Sequence, residues 1–133
     1  STVTNQGKTR WMIIDEAFNS DKLIEFLQML IKDAGKKVFL ILDNLRVHHS
    51  KPVKAWLAEH QAQIEVFYLP SYSPELNPDE RLNADLKYAL GSRVQVRTKD
   101  KLKAVTQNHM ATLAANPARV VSYFQDPRVK YAA

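Results

Sequence analysis

Two runs, "KVFLIL" at 37–42 and "IEVFYL" at 64–69, do most to limit what this chain can fold into. Each is a continuous apolar stretch of strand length, the pattern of a strand buried on both faces of a parallel sheet. Between them, Ser50 can cap a helix that takes Pro52 in its first turn and turns Val53, Trp56 and Leu57 inward. Strand, helix, strand in that order implies a right-handed parallel crossover. The fold class is therefore α/β.

The flanking segments extend this pattern. "STVT" and "KTRWMIIDEAF" read as two arms of a hairpin about a turn that contains Gly7. "SDKLIEFLQMLIKDAG" places Leu23, Ile24, Leu27, Leu30 and Ile31 on one helical face, with Ser20 as N-cap and Gly35 as the stop. After "PSYSPELNP" a helix is expected near 79–90. Another begins about Thr98, carries Leu102, Val105 and Leu113 on one face and stops before Pro117, and "ARVVSYF" adds a short final helix. A hairpin followed by alternating strands and helices predicts a mixed-sheet domain with flanking helices.

A chain of 133 residues is long enough for one domain with its own core, 1–133, and short for two. It contains no cysteine, so disulfides, zinc–thiolate sites and thiol chemistry are excluded, and any metal must sit on oxygen or imidazole. No apolar run approaches the roughly 18 residues of a membrane span, and the polar start lacks the apolar core of a signal peptide. The expected location is the cytoplasm, with no membrane partner.

The net charge of +5 is concentrated in one segment. Residues 81–103 hold Arg81, Lys87, Arg93, Arg97, Lys99, Lys101 and Lys103 against Asp85 and Asp100, while the remainder balances at 12 basic and 12 acidic residues. A local basic excess suits a polyanion bound through its phosphates. A solvated helix surface accounts for the same charges.

Two carboxylates stand where chemistry can be built. Asp43 follows the "KVFLIL" strand, and open α/β sheets place their sites beyond the carboxyl ends of strands. Asn44, His48 and His49 make its exit unusually polar, although an Asp-Asn turn bonded to its own backbone reads the same way. Glu80 opens the helix after the proline-rich loop. With Asn77 as N-cap and Pro78 at the first helical position, Glu80 fits a capping box; alternatively it converges with Asp43 on hard cations.

"LILDNLRVHHSKPVKAWL" followed by "IEVFYLPSYSPELNPDERLNADLKYAL" resembles the catalytic core of bacterial insertion-sequence transposases of the mariner superfamily, DDE endonucleases with a ribonuclease H-like fold. The similarity extends over nearly the whole chain, and "LPSYSPELNPDE" at this distance from "LDN" is its most specific part. The resemblance implies that Asp43 is the second catalytic Asp and Glu80 the final catalytic Glu, with 36 residues between them, both ligands of Mg²⁺ or Mn²⁺ in a two-metal site. Asn44 and His48 match supporting positions, whereas His49 matches none. Asp79 and Asn83 stand where Ile or Val, and Trp, are frequent in the family. Phosphate contacts would come from Arg81, Lys87, Arg93 and Arg97, with Lys99, Lys101 and Lys103 as further candidates. The DNA partners would be transposon ends and target, met at the bacterial nucleoid.

The first catalytic Asp of that family lies on the central strand. "MIIDEAF" imitates the setting, yet only 27 residues separate Asp15 from Asp43, too few for two further strands and a helix. "GKTRWMIIDEAFNSDKLIEFL" instead resembles the family's third strand and its following helix, so Asp15 and Glu16 read as surface residues. The expectation is a C-terminal portion of a ribonuclease H-like domain that lacks its first, central strand and first Asp. Such a fragment would be weakly active or inactive, and its open sheet edge would invite a homodimer or strand-exchanged oligomer. A non-catalytic DNA-binding or regulatory remnant is the alternative. A metal phosphoesterase using Asp43, His48 and Glu80 is a third reading.

Overall fold

A computed structural model of the chain describes residues 1–92 and 98–133. The elements are β1 (Thr2–Val3), β2 (Thr9–Arg10), α1 (Ser20–Ala34), β3 (Val38–Leu42), α2 (Lys51–Glu59), β4 (Ile64–Tyr68), α3 (Asp79–Ser92), α4 (Lys99–Ala114) and α5 (Pro117–Ser122), with short 3-10 turns at Arg46–His49, Pro74–Leu76 and Lys130–Ala132. The architecture is mixed α/β, as expected. Among the described residues its strands form two separate ladders, β1–β2 antiparallel and β3–β4 parallel, where the sequence suggested one mixed sheet. The chain divides into two compact units, one of residues 14–74 and one of residues 1–13 with 75–133.

In the unit of residues 14–74, α1 forms because Leu23, Leu27 and Leu30 recur at helical spacing and all three are buried. Its N-cap is Asn19, whose side chain accepts from the Lys22 amide at 3.0 Å. Ser20, the expected cap, instead donates its hydroxyl to Ser50 Oγ at 2.8 Å. Gly35 ends the helix at φ 65°, the left-handed region that favours glycine. Val53 and Trp56 of α2 and Ile64 of β4 complete the core, with Val38, Leu40 and Val66 half-buried against it. Truncating Leu27 to Ala here would cost roughly 2–5 kcal/mol.

The expected burial of both strands on both faces does not hold. Register pairs Val38 with Ile64 and Leu40 with Val66 on the inner face, and Phe39 with Glu65 and Ile41 with Phe67 on the outer. Phe39, Ile41 and Phe67 are 64%, 42% and 48% exposed. The physical reason is that α1 and α2 both pack against the same side of the ladder. A strand can be apolar throughout and still be covered on one face only.

In the unit of residues 1–13 with 75–133, the hairpin is shorter than expected: Thr2 pairs with Arg10 and Val3 with Thr9. Residues 11–14 leave the ladder because Trp11 packs into a helical core and donates Nε1–H to Gln107 of α4 at 3.0 Å. That core joins Leu82 of α3, Met110 and Leu113 of α4, Val120 of α5, and Tyr123, Phe124 and Val129 beyond it. α4 starts where expected, with Thr98 as its N-cap accepting from the Lys101 amide, while Asn116 caps α5 and Pro117 occupies its first turn. Leu102, expected on the inner face, is exposed. Gly7, at φ 89°, brings the hairpin turn so close to α5 that a Cβ built there would lie 2.5 Å from the Pro117 carbonyl oxygen.

A polar cluster ties α3 to α5 across this core. Arg119 donates Nε–H to Asp85 at 3.0 Å and Nη2–H to its other oxygen at 2.8 Å, and the Tyr123 hydroxyl donates to the same carboxylate. The guanidinium holds the Asp85 carboxyl below its usual range, against an opposing effect of burial. Burial first, and the neighbouring carboxylate second, push the Tyr123 phenol up.

Candidate active site

Asp43 leaves β3 where the parallel ladder ends, with the Leu69 amide still donating to the Leu42 carbonyl at 2.7 Å. The chain then closes a 3-10 turn that returns His48 to Asp43. His48 Nδ1 lies 2.9 Å from the Asp43 main-chain oxygen and 3.0 Å from the carboxylate Oδ1. A carbonyl oxygen can only accept, so Nδ1 carries the proton and spends it there. Asp43 Oδ1 is left buried without a hydrogen bond, although its side chain as a whole is 37% exposed. A buried acceptor in that state costs about 1–3 kcal/mol, which the local fold must offset.

The exits of β3 and β4 are braced to each other. Asn44 donates Nδ2–H to Ser71 Oγ at 2.7 Å, and its Oδ1 faces His49 Nε2. The His49 ring stacks on Tyr68 with centroids 4.1 Å apart, and the Tyr68 hydroxyl donates to the His48 carbonyl at 2.9 Å. Burial pushes the Tyr68 phenol up, so it remains a proton donor. The following loop turns at Tyr72, a non-glycine residue at φ 56° with an exposed ring. His49, Tyr68 and Ser71 were not singled out as site residues by the sequence. Their role depends on a 3-10 turn and on β4 register, and neither leaves a local signal.

Glu80 lies in the first turn of α3, in the other unit. Its amide donates to the Asn77 carbonyl at 3.1 Å, and Asn77 Oδ1 accepts from the Asp79 amide at 3.0 Å. The turn is therefore closed by the Asn77 side chain and backbone. Among the described residues the Glu80 carboxylate has no hydrogen-bond or ion-pair partner, so the capping box is not formed by its side chain. Asp79, beside it, accepts from the Ser1 hydroxyl at 2.8 Å.

Of the predicted residues, Asp43, Asn44 and His48 come together at one strand end, and Glu80, Arg81 and Lys87 share α3. Arg81 is engaged by the Asp126 carboxylate. Lys87 is exposed, as are Lys99, Lys101 and Lys103 on the first turns of α4. Arg93 and Arg97 lie outside the described residues. Asp15 and Glu16 are exposed in a bend, as their reading as surface residues expected. Among the described residues, no three His, Cys, Asp or Glu side chains gather as a metal-binding group. Taken separately, Asp43 presents a buried carboxylate oxygen without a hydrogen bond and Glu80 an unengaged carboxylate, each an oxygen donor of the type that hard divalent cations accept.

Residues 1–103 match the DDE superfamily endonuclease family, a span that includes both carboxylates and the whole Asp43 strand end. An 83-residue segment, 62% of this chain, is 32% identical to the insertion element IS630 uncharacterized 39 kDa protein of Shigella sonnei, of which it covers 24%. A family match over most of the chain, on a mixed α/β architecture with a polar strand end, places this protein in the DDE superfamily endonuclease family.

Proposed function

We propose that the chain forms part of the catalytic domain of an insertion-sequence DNA transposase, a ribonuclease H-like fold of the mariner superfamily type whose two compact units are parts of one domain. The observation that carries this reading is the family match across 1–103, which spans Asp43, Glu80 and the turn between Asn77 and Arg81. The relative from an insertion element supports the biological setting. The reaction is phosphodiester cleavage by water, which releases a DNA 3′-hydroxyl, followed by strand transfer, in which that hydroxyl attacks a target phosphodiester and displaces the target strand's own 3′-oxygen.

Asp43 and Glu80 would hold Mg²⁺ or Mn²⁺, together with a further Asp. When bound, the cations supply Lewis-acid stabilisation of the phosphoryl oxygens and acidify water. The chain's own residues do the rest. His48 and Asn44 brace the Asp43 turn, and Oδ1 has no hydrogen bond to give up, only the 3.0 Å approach of His48 Nδ1. Lys87, Arg93 and Arg97 contact DNA phosphates, which position the duplex without reading its sequence. The partners are transposon ends and target DNA at the bacterial nucleoid. The exposed outer face of β3 and β4 supports a homodimer or strand-exchanged oligomer, and a monodisperse monomer by light scattering at high concentration would count against that part.

The test combines DNA binding, Mn²⁺ binding and cleavage of a labelled duplex. The expected result is salt-sensitive DNA binding, weak or no cleavage, and Mn²⁺ binding that Asp43→Asn and Glu80→Gln each abolish. Robust cleavage that survives Asp43→Asn would overturn the assignment. DNA affinity without metal binding would favour a regulatory remnant, and preference for small phosphate esters would favour a phosphoesterase.

A further inference from the structure

The turn that carries Glu80 is held on both sides by the last residues of the chain. The Tyr131 hydroxyl donates to the Leu76 carbonyl at 2.6 Å, just before Asn77 and Pro78. On the far side, the Arg81 guanidinium pairs with the Asp126 carboxylate. Asp126 is itself organised by Arg128, whose backbone amide donates at 2.8 Å, Nε–H at 3.1 Å and Nη2–H at 2.9 Å. Arg128 holds the Asp126 carboxyl well below its usual range and also senses the charge of Glu75. Between these contacts Val129 is fully buried in the core that holds Leu82 of α3, so the segment is anchored where it crosses the turn.

We infer that residues 126–131 form a clasp that positions Glu80, with Asp126, Arg81 and Tyr131 as positioning residues for the carboxylate. The inference rests on the reading of Glu80 as a site residue. The Glu80 carboxylate has no partner of its own among the described residues, so its direction depends on the backbone of residues 76–81. Leu76 and Arg81 are the two ends of that backbone, and the clasp grips each one. Arg81 then acts on the turn through Asp126. The charge of Arg81 and its position on α3 are visible in the sequence, while its partner 45 residues away is not.

Amide hydrogen exchange, followed residue by residue in the full chain, tests this. The reporters are the Asp79, Glu80 and Arg81 amides, which donate to Asn77 Oδ1, the Asn77 carbonyl and the Pro78 carbonyl. Tyr131→Phe removes one hydroxyl from a half-exposed ring, and Asp126→Asn and Arg81→Gln remove the ion pair from either side. Each should speed exchange at residues 79–81 by about two- to tenfold, the worth of one hydrogen bond. Amides of the core, such as Leu113 and Val120, should change less than about twofold, and Asp126→Asn with Arg81→Gln should be no faster than either alone. Unchanged exchange at residues 79–81, or an equal rise through the whole unit, would overturn the clasp. Line broadening of the Glu80 resonances by added Mn²⁺ is the separate readout for the metal reading; its absence from the unaltered chain would remove that reading while exchange still judged the clasp.

Discussion

Replacing Asp43 by Asn should reverse the usual order of a wild-type protein and its variant, depending on metal. Asp43 Oδ1 is buried without a hydrogen bond and only its 3.0 Å approach to His48 Nδ1 offsets that. An unsatisfied buried acceptor costs about 1–3 kcal/mol, and partial exposure of the side chain puts this case at the lower end, about 1 kcal/mol. Asp43→Asn discharges the group at nearly constant volume, so with chelator present the variant should equal or exceed the wild type by up to about 1 kcal/mol. At free Mn²⁺ tenfold above its dissociation constant, binding adds about 1.4 kcal/mol to a chain that holds the ion and nothing to one that does not. The two urea midpoints should therefore cross. Trp56 and Trp11 stand one in each unit, so a Trp11→Phe background lets fluorescence follow the unit of Asp43 alone. A variant at least 1 kcal/mol less stable than the wild type in chelator would show that Asp43 is a structural acceptor. Equal Mn²⁺ increments in both proteins would refute the ligand role.

Gly7→Ala combines a left-handed φ, costing about 1–2 kcal/mol, with a Cβ 2.5 Å from the Pro117 carbonyl, costing about 1–3 kcal/mol more; Gly91→Ala meets nothing within 4 Å on α3 and should stabilise by up to about 1 kcal/mol, both read by urea denaturation. The Asp85–Arg119–Tyr123 cluster gives a pH dependence of defined sign. The Asp85 carboxyl is depressed in the fold, so its contribution is complete above the unfolded value near 3.9 and is lost as pH falls through the folded one. The Tyr123 phenol is raised, so its contribution is present below about pH 10 and is lost as pH rises toward the folded value. Asp85→Asn should flatten the acid limb of the stability profile and Tyr123→Phe the alkaline limb, and a Tyr123→Phe profile with an unchanged alkaline limb would refute the assignment.

What the sequence determined by itself was local. Leucines at helical spacing made α1, Gly35 stopped it, Thr98 opened α4, and two apolar runs about a helix made the parallel β3–β4 pair. Asp43 at a strand end and Glu80 at a helix start were also legible, because strand ends and helix starts are marked by nearby residues. Only the tertiary structure decided which face of "VFLIL" is covered, since α1 and α2 both chose the same side and left Phe39 and Ile41 exposed. It likewise decided what each polar group at the site binds. Asn44 meets Ser71 across 27 residues, Asp85 meets Arg119 across 34, and Arg81 meets Asp126 across 45. Periodicity and capping act within a few residues along the backbone, whereas the partner of a charge is set by packing, which brings together segments that the sequence keeps far apart.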